Sequence, residues 1–245
     1  YVKQFKDEKL FRALEGKLQR GLDFINRAES GLVYNDPKNP QCVYGFTDTI
    51  KKTGNLLFSS LIYYKACREM EALCRKYNYG NLDIYKVRSE NIQKNINKLM
   101  DEKSGMFWAA DKDCKQIDIW GSAYAVYVGI TSEEQSKKIS EYLIRNADQI
   151  VMKGQIRHLP GGDASWNNLF LSITEGTYQN GAYWATPLAW VVPVIAQQNL
   201  PLAKKILGDV IKDFQENGIN ECINTDYLNI PNYVASATNV YCLTR

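Results

Sequence analysis

Apolar residues return every three or four positions through Phe5, Leu10, Phe11, Leu14, Leu18, Leu22 and Ile25, a spacing that lays them along one face of a helix. The same spacing runs through Leu57, Leu61, Tyr64, Cys67 and Met70. Gly54-Asn55 ahead of it marks a start, so a second helix is expected from about 56 to 77. Comparable patterns predict helices over roughly 82–102, 119–129, 132–151, 181–198, 201–217 and from 233 onward, about eight in all. Strand signals are weak, and only GMFWAAD and QIRHLP offer residues for short ribbons.

Between these helices, long connections alternate with short ones such as KYNYG, GIT and QQNLP. Tight turns join antiparallel neighbours, which places the short connections at one end of an array of helical hairpins. The long ones then gather at the other end, where loops on a rigid scaffold carry function. The expected fold class is all-α, a toroid of helical hairpins. A solenoid would need a clean repeat period, which the sequence lacks.

Composition narrows the function classes. The 245 residues, 45% of them hydrophobic, suit one large core, and 1–245 is taken as a single domain. Lys+Arg 30 against Asp+Glu 27 leaves a net charge of only +3, with no basic block, so nucleic acid is not an expected partner. LAWVVPVIA is too short for the ~18 to 20 residues of a membrane span, so no membrane partner is expected and a soluble protein is. Cys42, Cys67, Cys74, Cys114, Cys222 and Cys242 are scattered without a CxxC pair, which reads as buried thiols and no zinc. The chain starts at Tyr1 with neither methionine nor apolar leader, as expected of a piece of a longer protein.

Candidate chemistry lies in the long connections. YGFTDTIKKTG holds Asp48, either a turn or capping aspartate or a general acid. Tyr44 and Phe46 beside it lower the local dielectric and raise a carboxyl pKa. In FWAADKDCKQIDIWGSAYA, Asp118 stands where a helix N-cap is expected. Trp108 and Trp120 are either core or flat apolar plates suited to the C–H face of a sugar.

QIRHLPGGDASW supplies Arg157 and the single histidine, His158, as hydrogen-bond donors to a neutral ligand or the backbone. TYQNGAYWATPLAW combines planar polar groups and aromatic rings in Tyr178, Gln179, Asn180, Tyr183 and Trp184, a mixture that suits the hydroxyl rim and apolar face of a sugar. The last long connection, GINECINTDYLNIP, brings Glu221, which is either an exposed turn residue or the second carboxylate on the rim that holds Asp48. Two carboxylates across a pocket are the minimum equipment for glycosidic cleavage.

With these residues in place, the chain resembles the six-hairpin glycosidases, whose catalytic domain is an (α/α)6 toroid, and especially the group of processing α-glucosidase I and trehalase. YGFTDT looks like that group's GWDS loop, TYQNGAYW is similar to its YxNGxxW stretch, and INECIN…NYVASATN resembles its late glutamate loop. The resemblance implies that Asp48 is the general acid and Glu221 the base, with Tyr178, Asn180, Gly181 and Trp184 on the substrate. It also implies an incomplete ring, about the C-terminal two thirds of a twelve-helix toroid.

The expected activity is that of an inverting, exo-acting glycosidase on an α-linked glucoside or related sugar. Its partner is an oligosaccharide or glycoside substrate, and it needs no cofactor and no metal because side chains carry both protons. Two other readings stay open. One is a noncatalytic carbohydrate-binding toroid, and the other is a polysaccharide lyase using Tyr178, Arg157 or His158 as base.

Overall fold

Asp7, Asn81, Asp118, Ser132 and Asn199 each open a helix in the same way, with the side-chain oxygen accepting from the backbone N–H three residues on. That bond satisfies a donor the helix leaves orphaned. The computed structural model describes residues 2–41, 45–46, 48–163 and 165–244. Among them, helices run α1 Val2–Phe5, α2 Glu8–Phe24, α3 Leu57–Tyr77, α4 Leu82–Asn95, α5 Ile119–Tyr127, α6 Glu133–Arg145, α7 Ala147–Ile150, α8 Leu188–Ala196, α9 Leu200–Asn217 and α10 Val234–Tyr241. The two four-residue segments apart, these match the expected elements.

Burial sorts the helices into two layers. In α5, seven of nine residues are buried, and α8 buries Leu188, Trp190, Val191, Val192, Val194 and Ile195, so both are surrounded by protein. Their hairpin partners are one-faced: α6 buries only Ile139, Ser140 and Leu143, and α9 only Ala203, Ile206, Val210 and Asp213. The pairs α3/α4, α5/α6 and α8/α9 form three hairpins, with α3 against α5 and α5 against α8 along the inner layer and α10 packed against α8.

The expectation of an all-α chain is corrected by two small antiparallel sheets. One pairs β1 Tyr34–Asn35 with β2 Gly54–Asn55. The other holds β3 Val151–Met152, β4 Gln155–Arg157, β5 Tyr183–Trp184, β6 Asn220–Asn224 and β7 Tyr227–Pro231, in that order. Single bridges Ile50↔Leu169, Leu56↔Ala110 and Trp108↔Ile117 lace the remaining long connections together. The predicted helix at 181–198 therefore begins late. Gly181, at φ 106, and the strand pair Ile156↔Trp184 hold its first residues extended.

The stretch INECINTDYLNIP is a hairpin, with Asn224↔Tyr227 closing a two-residue turn at Thr225-Asp226. Asn220 through Ile223 are all buried, so β6 lacks the alternation that marks a half-exposed strand.

One main core runs through all the hairpins, and a second cluster of Ile50, Ala109, Cys114, Leu159 and Trp166 sits beneath the long connections. Cys67, Cys74, Cys114 and Cys222 are buried free thiols and Cys242 is exposed; Cys42 lies outside the described residues. No helix among the described residues is long and apolar enough to cross a membrane.

Candidate active site

Asp48 ends the first long connection and is held by the third. Tyr178 Oη donates to its Oδ2 at 2.7 Å, and the Gln179 side-chain amide donates to Oδ1. The amide cannot turn round, because Gln179 Oε1 accepts from Thr49 N–H at 3.3 Å and from Thr49 Oγ1 at 3.0 Å. Trp166 Nε1 fixes the Gln179 carbonyl at 3.0 Å and Trp184 Nε1 the Tyr178 carbonyl at 3.2 Å. Tyr178 sits at φ 43, a left-handed backbone that costs a bulky residue energy and persists only where its surroundings enforce it. Its phenol is pushed up, first by burial and then by the hydrogen bond to Asp48.

Glu221 is the second residue of β6 and only 5% exposed. Its Oε2 accepts from Asn229 Nδ2 across the hairpin at 2.7 Å, and the Tyr233 hydroxyl bonds to the same carboxylate. Burial pushes its pKa up. The Tyr233 bond opposes that rise, the charge of Asp48 adds to it, and the Asn229 bond opposes it again; the net direction is upward. Glu221 thus lies within the field of Asp48. Tyr178, bonded to Asp48, is raised in turn by Glu221, and Tyr233, bonded to Glu221, is raised by Asp48. Each acid has its own tyrosine donor within the field of the other acid.

Aromatic rings pack beside this pair. Phe46, two residues before Asp48, meets Phe58, Trp120, His158 and Trp184 edge-on. Trp120 and His158 stack at 4.3 Å and 11°, and both are buried. His158 Nε2 lies 2.9 Å from Asp118 Oδ1, the carboxylate that caps α5 through Gly121 N–H at 2.7 Å. Burial holds the His158 pKa below its usual value against the pull of Asp118. Burial also works to raise Asp118, yet His158, Lys52 and the Gly121 N–H together hold it below the usual carboxylate range. Lys52 is itself buried, its ammonium 4.4 Å from the centre of the Trp166 ring.

The remaining candidates are placed as follows. Asn180 has both amide atoms engaged, accepting from Trp166 N–H at 2.9 Å and donating to the Ile173 carbonyl at 3.2 Å. Arg157 donates to the Asp163 carbonyl at 2.8 Å, and the Tyr183 hydroxyl to that of Gln149 at 3.3 Å. Trp120 and Trp184 are buried rather than open plates. Trp108 carries Lys115 Nζ over its ring at 3.9 Å. Tyr44 lies outside the described residues.

Sequence reasoning missed Tyr233 and Asn229. The alternation in YLNI was a signal for the strand that carries Asn229. Tyr233 lay in the NYVASATN motif, where it was read as the lead-in to α10 and not as a partner of Glu221.

A surface hollow of about 510 Å³ lies elsewhere, walled by Arg68, Glu71, Ala72, Arg75 and Lys76, where Arg68 and Arg75 both pair with Glu71. Among the described residues no group of three or more His, Cys, Asp or Glu is placed to hold a metal ion.

No protein-family model matches the sequence and no curated protein matches it. Solved structures do. A GH63 mannosylglycerate hydrolase from Thermus thermophilus, in complex with Tris and D-glycerate, superposes with a TM-score of 0.61 at 13% identity, over 76% of this chain and 44% of that one. A rhamnosidase from Klebsiella oxytoca with rhamnose bound reaches 0.63 at 12% identity, over 98% of this chain and 43% of that one. The chain has the six-hairpin glycosidase fold in part. A GH78 rhamnosidase from Bacillus sp. GL1 carries the same six-hairpin likeness, at a TM-score of 0.59 and 14% identity over 97% of this chain and 24% of that one. The chain spans less than half the length of each of these six-hairpin proteins.

Proposed function

We propose that this chain belongs to a glycoside hydrolase in which Asp48 and Glu221 are the catalytic carboxylates. The observation that carries the reading is their setting: Glu221 within the field of Asp48, and each acid anchored by a tyrosine hydroxyl. Glycosidic cleavage needs one carboxyl to protonate the departing oxygen and another to activate water or attack carbon.

Asp48 is the acid and Glu221 the base. The roles follow the resemblance, and a Glu221 pKa raised by burial strengthens that carboxylate as a proton acceptor once ionised. The reaction inverts configuration, with the two carboxyl groups roughly 6.5 to 9.5 Å apart in the working enzyme to leave room for water. The substrate is a neutral glycoside, an α-linked glucoside or related sugar cleaved from its end.

The test is to assay Asp48→Asn and Glu221→Gln on a panel of oligosaccharides while following the released anomer by NMR. Each variant should lose at least about a hundredfold in rate, the lower range for a general acid or base. Hydrolysis that survives both changes sinks the assignment, and a first product of retained configuration sinks the inverting mechanism.

A further inference from the structure

Phe46 stands in the middle of an aromatic box. Its ring centre lies 5.5 Å from Phe58, 4.7 Å from Trp120, 5.8 Å from His158 and 6.4 Å from Trp184, and every contact is edge-to-face. The backbone pays for this position in strain. Phe46 is at φ 61, a region that a bulky L-residue avoids, and Gly45 before it is at φ 121. The approach is also tight, since a Cβ on Gly45 would come within 2.9 Å of Ser59 Oγ.

The box has a polar atom that Phe46 cannot serve. Trp120, one of its walls, has its Nε1 buried without a hydrogen-bond partner. Unsatisfied buried donors and acceptors are rare and call for an explanation. A phenyl ring satisfies aromatic walls and leaves such an atom orphaned. A pyranose ring offers those walls its C–H faces and brings hydroxyls for an indole N–H.

We propose that the box of Phe58, Trp120, His158 and Trp184 is a binding site for a neutral pyranose, and that Phe46 is its built-in occupant. This rests on the carbohydrate reading of the neighbouring carboxylates. Entry of a sugar then requires Phe46 to leave. Asp48 is two residues further along the chain and is gripped by Tyr178 and Gln179. Displacing Phe46 therefore also loosens the grip on Asp48, so that the acid is released as the ring arrives. A site filled by its own side chain binds more weakly, by the fraction of time it stands open.

The experiment titrates the chain, wild type and Phe46→Ala, with L-rhamnose and D-glucose by calorimetry. Removing the occupant should tighten binding of at least one sugar by about tenfold or more. Equal or weaker binding in Phe46→Ala overturns the proposal, because Phe46 would then be a platform for the sugar, and so does failure of both proteins to bind either sugar.

Hydrogen exchange of the wild type supplies the second reading, and stands alone if Phe46→Ala does not fold. Saturating sugar should speed exchange at the Thr49 N–H, whose bond to Gln179 depends on the seated segment. Slowed or unchanged exchange there overturns the proposal. Tight sugar binding by Phe46→Ala without hydrolysis of any glycoside would count against the catalytic assignment and leave the self-occupied site standing.

Discussion

Tyr178 Oη donates to Asp48 Oδ2 at 2.7 Å although 130 positions separate the two residues. The bond joins the first long connection to the third and supplies Asp48 with a charge-assisted donor. Such bonds contribute roughly 1.5 to 3 kcal/mol. Tyr178→Phe should therefore lower kcat by about ten- to a hundredfold with KM little changed, and steady-state kinetics on the best glycoside checks it. An unaltered kcat would remove the hydroxyl from the mechanism.

Glu221 gives a prediction in pH. Its folded pKa is raised, chiefly by burial, above the ordinary value it has in the unfolded chain. The folded protein thus binds that proton more tightly. The resulting stabilisation is complete below the ordinary carboxylate value and is lost as pH rises through it toward the raised one. Glu221→Gln should be more stable than wild type at pH 7, with the difference shrinking toward pH 4. Urea unfolding at the two pH values decides, and a stability difference that is independent of pH contradicts the burial argument.

Asn180 is a structural tie. Its two side-chain hydrogen bonds, a buried one to Trp166 N–H and a part-buried one to the Ile173 carbonyl, are both lost in Asn180→Ala. Leaving those backbone groups unpaired should cost roughly 2 to 4 kcal/mol. A thermal melt showing no loss would mean the loop relaxes to water.

Asp118 and Ser132 both cap helices, yet their removal should differ. Ser132 works at the surface, and Ser132→Ala should cost about 1 kcal/mol. Asp118 is fully buried, with its Oδ1 on the Gly121 N–H and 2.9 Å from His158 Nε2, so Asp118→Ala leaves buried polar groups unserved and should cost roughly 2 to 4 kcal/mol. Equal costs in parallel denaturation curves would show that Asp118 is a cap and nothing more.

The helices were legible because each buries a stripe or a whole surface with helical period, and several announce their start with a capping residue. Asp118 was readable in this way, as the cap it is. Strands were not. β5 is two residues long, and β6 is buried on both faces, so neither shows the alternation that marks a strand.

The same blindness hid part of the site. Asp48, Tyr178, Gln179 and Glu221 were singled out from sequence, and the structure gathers them. Asn229 reaches Glu221 only because of the β6–β7 register. Asn180 looked like a sugar contact because sequence shows an amide but not whether its atoms are already engaged.

Tyr183 pairs with Ile223 across the whole of α8 and α9. Contacts that close so long a stretch of chain form late in folding, after local helices are in place. Glu221, two residues from Ile223, therefore comes into the field of Asp48 only when that last hairpin has docked. A half-folded chain carries two separate, ordinary acids. On this reading the appearance of hydrolysis during refolding is a clock for the final strand pairing, and a protease cut between α8 and α9 should silence the enzyme before it melts the helices.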